Sequence, residues 1–325
     1  MRCAYVESQN ATEPLSGLRT ADLPEADLPS PDWVRVQVRA ASLNHHDLWS
    51  LRGVGLGADR LPMILGTDAA GIDPDGRQVL VHAVITSPGW IGEETLDPKR
   101  TLLSELHPGT LAEYVHVPAR NLVPVPEGMS MTDAACLPTA YLTAYRLLVQ
   151  AAQVAPGQRV LIQGAGGGVA TAATVLARAM GAQVIVTSRD AGRRERALAA
   201  GAHEAVETGT RIAPVDAVIE TVGEATWEHS LRSLRPGGVV AVAGATSGAA
   251  PSADLNRVFF RSLRVVGSTM GTLEQLHAVS ATMVSAGIDP VVDSVHSFDT
   301  DDGVRAAFER LASGEAFGKV VLQRA

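Results

Sequence analysis

Apolar and polar residues alternate over WVRVQVRA (33–40), the period-two signature of a half-buried strand. RQVLVHAV (77–84) and LAEYVHVP (111–118) carry similar patterns, and Gly, Pro and Asp clusters between such runs mark turns. The chain up to about residue 120 is therefore expected to be mostly β. The stretch 86–110, with several Pro, Gly and charged residues, reads as a surface excursion. From residue 158 the pattern changes: RVLIQ, QVIVTS (183–188), DAVIETVG (216–223), GGVVAVAGA (237–245) and RVVGS (264–268) are short apolar runs with few polar interruptions. Between the first two lies VATAATVLARAMG, where Val169, Ala173, Leu176 and Met180 recur at helical spacing and Gly181 stands where a C-terminal cap belongs. A charged helix ending at Gly201 follows the second. Strands this apolar, separated by helices, indicate a parallel sheet covered on both faces: an α/β, doubly wound nucleotide-binding domain.

The chain has 325 residues, which suits two domains of roughly 100–200 residues each, and 46% hydrophobic residues supply apolar material for both. A net charge of −8 argues against a nucleic-acid partner, which usually needs a basic face. No apolar run approaches the roughly 18–20 residues that span a bilayer, so no membrane partner is expected. MRCAYVESQN lacks the basic-then-apolar order of a signal peptide, and the expectation is a cytoplasmic protein. The only two cysteines, Cys3 and Cys136, lie far apart, which disfavours a disulfide framework and any four-cysteine zinc lobe. Nine histidines leave other ligand sets open.

Chemistry first surfaces at Gly164-Ala165-Gly166-Gly167-Gly168-Val169-Ala170, between a strand and a helix. There a dinucleotide pyrophosphate meets the free N–H groups and positive end of the helix, while Ala170 suits the last, closely packed position of the fingerprint. A lone glycine fingerprint is weak, but the strand–turn–helix context and the continuing repeat strengthen it. NAD enzymes place an Asp or Glu about 20 residues on, for the ribose hydroxyls. Here QVIVTS ends in Ser188-Arg189, with Arg193 and Arg194 shortly after. A carboxylate in the place of Ser188 would repel a 2′-phosphate, whereas Arg189 can grip one through charge-assisted hydrogen bonds, so the cofactor reads as NADPH. Asp190 is the counter-argument, and Arg193 or Arg194 is alternatively a solvated helix charge.

SLNHHDLWSLRG (42–53), PMILGTDAAG (62–71), GTLAEYVHVP (109–118), LTAYRLL (142–148), the glycine loop and FGKVVL (317–322) occur in a telling order. In these motifs, and over nearly its whole length, the chain resembles the medium-chain dehydrogenase/reductases. The resemblance implies a mostly β, GroES-like catalytic domain over 1–122 and 287–325, the last segment folding back on the first, and a Rossmann NADP-binding domain over 123–286. It also implies a cleft between them for a small-molecule substrate, and a homodimer or homotetramer. Zinc-dependent relatives place a Cys where Asn44 stands, a His where Thr67 stands and a second Cys where Thr139 stands. An amide and two hydroxyls are poor zinc ligands, Asp68 alone holds little, and Cys136 reads as a small buried apolar residue. The four structural cysteines such relatives carry are missing from 86–110. No metal is expected, and the resemblance narrows to the zinc-free quinone-oxidoreductase and enoyl-reductase branch.

Without a Lewis acid, a conjugated alkene or quinone is the easier hydride acceptor, because the charge spreads onto a distant oxygen that needs a hydrogen-bond donor and a proton. Asn44 is expected to donate its amide N–H into the metal position, beside Thr67. His46 takes the place of the proton-relaying Ser or Thr of zinc relatives, the alternative being a surface or structural histidine. His45 falls where relatives hold the pyrophosphate, or is simply exposed. Asp47 reads as structural, and Trp49 as cleft lining or core. On the cofactor side the resemblance places Thr143 near the nicotinamide, and Val222, Gly244 and Ala245 lie at strand ends, where ligands bind in such sheets. Lys319 matches a lysine near the cofactor in relatives, or merely flanks a strand. Three functions stay open: an NADPH-dependent quinone or enone reductase, an alcohol dehydrogenase or ketoreductase with or without zinc, and a non-catalytic NADPH-binding protein.

Overall fold

The computed structural model describes residues 1–325. They divide into two compact units, Met1–Thr139 with Gly271–Ala325, and Ala140–Met270. The divisions differ from those expected at 122/123 and 286/287. Met131–Ala134 packs on strands Trp33–Ser42 and Ala70–Ile72, and helix Leu273–Ser285 packs on strand Leu122–Pro124, so both belong with the first unit.

The first unit is built around a sheet in the order Leu122–Pro124, Gln78–Val81, Ala70–Ile72, Trp33–Ser42, Lys319–Gln323, Val292–Ser297, with Tyr114–Pro118 also paired to Trp33–Ser42. Trp33–Ser42 is long enough, at 10 residues, to serve Tyr114–Pro118 with its first half and Ala70–Ile72 and Lys319–Gln323 with its second. Pairing of Val321 with Ser42 sets Lys319 beside Leu43 and Asn44, and the Leu43 N–H donates to Val320 O at 2.9 Å. On the other side of the strand Gly318 allows a close approach to Val291: its φ is +104°, and a β-carbon there would run into the Val291 carbonyl.

Two apolar stretches form shorter strands than their patterns predict. The strand expected over 77–84 stops at Val81, and that over 111–118 begins only at Tyr114, because Leu111 N–H donates instead to Leu65 O at 2.8 Å. Nor is 86–110 a mere surface excursion. Thr101–Leu102 pairs with Val84–Ile85, Leu103, Ser104 and Asp97 are buried, and the Asp97 carboxylate accepts from Ser87 N, Ser87 Oγ and Lys99 N. Polar residues here satisfy buried backbone, which composition alone reads as solvent exposure.

The second unit is a parallel sheet in the order Glu204–Val206, Gln183–Thr187, Arg159–Ile162, Val215–Glu220, Leu234–Val242, Arg264–Gly267. Leu161, Ile185, Val218 and Val240 from its strands pack with Leu231 and Leu263 in one buried cluster. The order reverses between Arg159–Ile162 and Val215–Glu220, so the turns after those strands flank the switch point where such sheets bind ligands. No helix in the protein is long and apolar enough to cross a membrane.

Candidate active site

In the first unit, strand Trp33–Ser42 hands over through Leu43 and Asn44 to helix His45–Arg52. Asp47, in the first turn, is buried and ties two backbones together: its Oδ2 accepts from Asn44 N at 2.8 Å and its Oδ1 from Gly66 N at 2.9 Å. Burial pushes the Asp47 pKa up, against the opposing pull of the His46 charge and these two N–H groups. Its structural role fixes Asn44 against the Gly66-Thr67-Asp68 segment.

Lys319 closes the arrangement. Its ammonium, 2% exposed, donates to Leu43 O at 2.8 Å, Asn44 Oδ1 at 2.6 Å and Asp68 Oδ2 at 3.1 Å. An ammonium has only three hydrogens, and all three are taken up within the protein. The Asn44 oxygen must face that ammonium, which orients the amide: Nδ2 donates to Asp68 Oδ2 at 2.8 Å and Thr67 Oγ1 at 3.2 Å. Both amide hydrogens are therefore committed, and Asn44 does not offer one to an acceptor as expected. Thr67, 1% exposed, meets Thr139 Oγ1 at 3.1 Å, and Thr139, on a wider π-type turn over Leu137–Tyr141, is partly exposed. The Ser42 hydroxyl donates to Asp68 Oδ2 at 2.7 Å, while Asp68 Oδ1 is buried without a partner.

These donors do not fit a zinc ion. One carboxylate oxygen already held by an ammonium, an amide and two hydroxyls offer neither thiolate nor imidazole, and no cluster of three His, Cys, Asp or Glu exists anywhere in the chain. Cys136 is buried, its thiol pushed up to about 12 by that burial and donating to Thr132 O at 3.3 Å, so it supplies no thiolate.

His46 Nε2 lies 3.2 Å from Glu105 Oε1. Burial alone would lower the His46 pKa, but the Glu105 hydrogen bond and the charges of Asp47, Glu105 and Asp68 outweigh it and raise it. Glu105 moves the opposite way: burial opposes its charge, and His46, Leu102 N and Thr101 more than compensate, lowering it. Glu105 escaped the sequence reading because it comes from 86–110, where no motif marks it; its other oxygen accepts from Leu102 N at 3.0 Å, which holds the carboxylate still. His45 is exposed at one edge, yet desolvation, then the charges of Lys319 and Arg52, lower its pKa. It is thus mostly neutral near pH 7 and offers a cofactor a single N–H rather than a charge. Trp49 is half-buried, its ring 6.4 Å from that of His45.

In the second unit, Gly164 has a φ of +77°, and a β-carbon there would lie 2.6 Å from Val222 Cγ2, so the turns flanking the switch point touch. Two amides of the expected cradle are committed elsewhere: Ala165 N–H donates to Thr187 O at 2.8 Å and Gly164 N–H points at Thr187 Oγ1 at 3.4 Å. The N–H groups of Gly166, Gly167, Gly168 and Val169, at the start of helix Gly168–Ala179, have no protein acceptor, and the space before Gly167 is open. They fit a pyrophosphate. Ser188 is buried and Arg189 exposed. The Asp190 carboxylate caps helix Ala191–Ala199 by accepting from Arg193 N at 2.7 Å, so its Oδ1 is taken by the helix rather than by a ribose. Arg194 clamps Ser188 O at 2.7 Å and Arg189 O at 3.2 Å, leaving Arg189 as the exposed cation at the strand end, with Arg193 half-buried beside it. The site fits a 2′-phosphate. Val222, Gly244 and Ala245 gather at the same edge, where the β-carbon of a non-glycine residue at 223 would press on Ala245. That edge is braced by Glu220, a buried carboxylate the sequence did not flag, which accepts from Val222 N at 2.8 Å, Gly223 N at 3.0 Å and Ser230 Oγ at 2.6 Å. Thr143 is buried on helix Leu142–Arg146, which packs against helix Gly168–Ala179.

Comparison with known proteins places this geometry in context. Residues 30–127 match the model of the alcohol dehydrogenase GroES-like domain, and residues 168–286 that of the zinc-binding dehydrogenases. A zinc-type alcohol dehydrogenase-like protein of Schizosaccharomyces pombe is 30% identical over 95% of this chain and 96% of its own length. An acryloyl-coenzyme A reductase of Sulfurisphaera tokodaii is 27% identical over 95% of this chain and 97% of its own. Among solved structures, an NAD-dependent alcohol dehydrogenase superposes with a TM-score of 0.91 at 32% identity, covering 99% of both chains.

Proposed function

We propose that this chain, which belongs to the medium-chain dehydrogenase/reductase superfamily, is a zinc-independent reductase that uses NADPH to reduce a quinone or an α,β-unsaturated carbonyl. The observation that carries this reading is the Lys319 ammonium, hydrogen-bonded to Asn44 and Asp68 among the residues that stand in zinc-ligand positions. A fixed ammonium does not offer the open coordination position that polarises an isolated ketone, so the acceptor must delocalise its own charge. NADPH would supply the hydride, and Arg189 would hold its 2′-phosphate. Gly166 to Val169 would hold the pyrophosphate by their backbone N–H groups, and Glu220 keeps the facing Val222–Gly223 turn in place. His46, whose charged form Glu105 favours, supplies the proton that quenches the enolate or hydroquinone anion. The name of the acryloyl-coenzyme A reductase relative agrees with a conjugated thioester as one such acceptor.

The test is NADPH oxidation by purified protein with quinones, 2-enones and enoyl thioesters, with and without chelator. Turnover indifferent to the chelator is expected. Stoichiometric zinc whose removal abolishes activity would overturn zinc independence, and silence across the panel with NADPH demonstrably bound would overturn the reductase reading. The names of the alcohol dehydrogenase relatives favour a second reading, alcohol oxidation, which the same assay run with alcohols and NADP⁺ or NAD⁺ discriminates.

If His46 stores the proton, the rate should fall as pH climbs through its raised pKa. Glu105→Gln should move that falling limb toward acid, because the hydrogen bond and charge that raise His46 are weakened; an unmoved limb would remove Glu105 from the mechanism. Stability follows the same signs. The His46 contribution is lost as pH rises through its raised folded pKa, and the Glu105 contribution as pH falls through its lowered one.

The oligomeric state belongs to the same reading. Leu255, Phe259, Phe260 and Val265 are exposed at and beside Arg264–Gly267, the edge strand of the parallel sheet. An uncovered apolar strand edge is an association surface, and a second copy of the chain is its proposed partner. Phe260→Glu is expected to shift the protein toward monomer by light scattering; an unchanged mass would place the interface elsewhere.

A further inference from the structure

The polar residues around Lys319 form a chain with a direction. Asn44 Oδ1 must accept from the ammonium, so Asn44 Nδ2 must donate, and Thr67 Oγ1 at 3.2 Å is one of its acceptors. Thr67 and Thr139 then share one hydrogen bond at 3.1 Å between two hydroxyls, each with one hydrogen. One hydrogen is used and one is left over. Were Thr139 the donor, the leftover hydrogen would sit on Thr67, which is 1% exposed and has no further acceptor. An unsatisfied buried donor is destabilising, whereas Thr139 is partly exposed and loses little by keeping its hydrogen free. Burial therefore sets the polarity: Lys319 to Asn44, Asn44 to Thr67, Thr67 to Thr139, and outward from Thr139.

We infer that Thr139 donates this remaining hydrogen to the oxygen of the acceptor on which charge develops, with Lys319, Asn44 and Thr67 as positioning residues that polarise it. The inference rests on the proposed reductase reading. Each hydrogen bond in a one-way chain strengthens the next, and a full positive charge stands at its start. Where a zinc enzyme brings a cation to the substrate oxygen, this chain keeps its cation buried and passes on part of its effect through three hydrogen bonds. The assignment accounts for Asn44, Thr67 and Thr139 together: a side chain that broke the chain at any of them would isolate the ammonium.

The test compares Thr139→Val, Thr139→Ser and Thr67→Val in the full-length protein. Loss of one oxyanion donor typically lowers kcat by about 10²–10³, and that is expected for Thr139→Val, with NADPH affinity unchanged. Thr139→Ser keeps the hydroxyl and should stay within about tenfold of the parent, while Thr67→Val, which keeps the donor but cuts it from the charge, should fall between. A second readout does not need turnover: absorbance titration of 4-nitrophenol on the NADP⁺-loaded protein. The parent should bind the phenolate and lower the phenol's pKa, Thr139→Val should abolish that shift, and Thr67→Val should reduce it. Thr139→Val with parental kcat, or a parent that does not bind the phenolate, overturns the inference. A parent inactive on every acceptor sinks the reductase reading separately, and the phenolate titration still decides the role of Thr139.

Discussion

Replacing Lys319 with methionine is expected to destabilise the first unit by about 3–5 kcal/mol, the usual consequence of removing one partner from a buried ion pair. Asp68 is fully buried, and without Lys319 its carboxylate keeps only Ser42 Oγ at 2.7 Å and Asn44 Nδ2 at 2.8 Å as donors. Oδ1 has no partner even in the parent, so the charge cannot be shared out. Leu43 O and Asn44 Oδ1 lose their ammonium at the same time. Urea unfolding should show the drop, and Lys319→Met with Asp68→Leu should recover a large part of it, because an apolar pair leaves no orphaned charge. A single variant within about 1 kcal/mol of the parent would mean that water already screens the pair. Such an outcome would also weaken the case for a fixed cation at the reaction centre.

Much of this molecule is legible in the chain, and the parts that are not share one cause. Short apolar runs alternating with helical spacing identify the parallel sheet, because strands buried on both faces leave no polar residues to confuse the pattern. Resemblance singles out Asn44, Thr67 and Thr139 as stand-ins for metal ligands, but the hydrogen bonds that link them are not legible in the chain. What decides it is Lys319, brought to Asn44 by a strand register spanning most of the chain. Glu105 reaches His46 from a segment whose composition resembles solvent-exposed loop. Other misses carried a readable signal. Thr272 with Gln275 is a capping box, Thr272 Oγ1 accepting from Gln275 N and Gln275 Oε1 from Thr272 N, and it announces helix Leu273–Ser285. Asp190, weighed as a ribose ligand, precedes a charged helix in the position of an N-cap, and one of its carboxylate oxygens serves there. Local rules were legible; pairings across tens or hundreds of residues were not.

Coenzyme choice tests the second unit. Ser188→Asp is expected to weaken NADPH on the order of a hundredfold while improving NADH. Position 188 is buried at the end of strand Gln183–Thr187, and Arg194 fixes its carbonyl at 2.7 Å, so a new carboxylate would be held at the ribose end of the cofactor. There it accepts from the two hydroxyls of NADH but faces the 2′-phosphate of NADPH at short range, and about 3 kcal/mol of repulsion and lost hydrogen bonding is a factor of roughly 100. Arg189→Ala should be milder and one-sided: loss of charge-assisted hydrogen bonds worth about 1.5–3 kcal/mol raises the NADPH Kd about tenfold to a hundredfold and leaves NADH nearly unchanged. Arg189 is free to make those bonds because Arg194, not Arg189, clamps the backbone, and because Asp190 is engaged by its own helix. Fluorescence titration with both coenzymes separates the cases. If Arg189→Ala weakens NADPH and NADH equally, the guanidinium supports the fold of the strand end rather than the phosphate, and the preference for NADPH must come from elsewhere in the second unit.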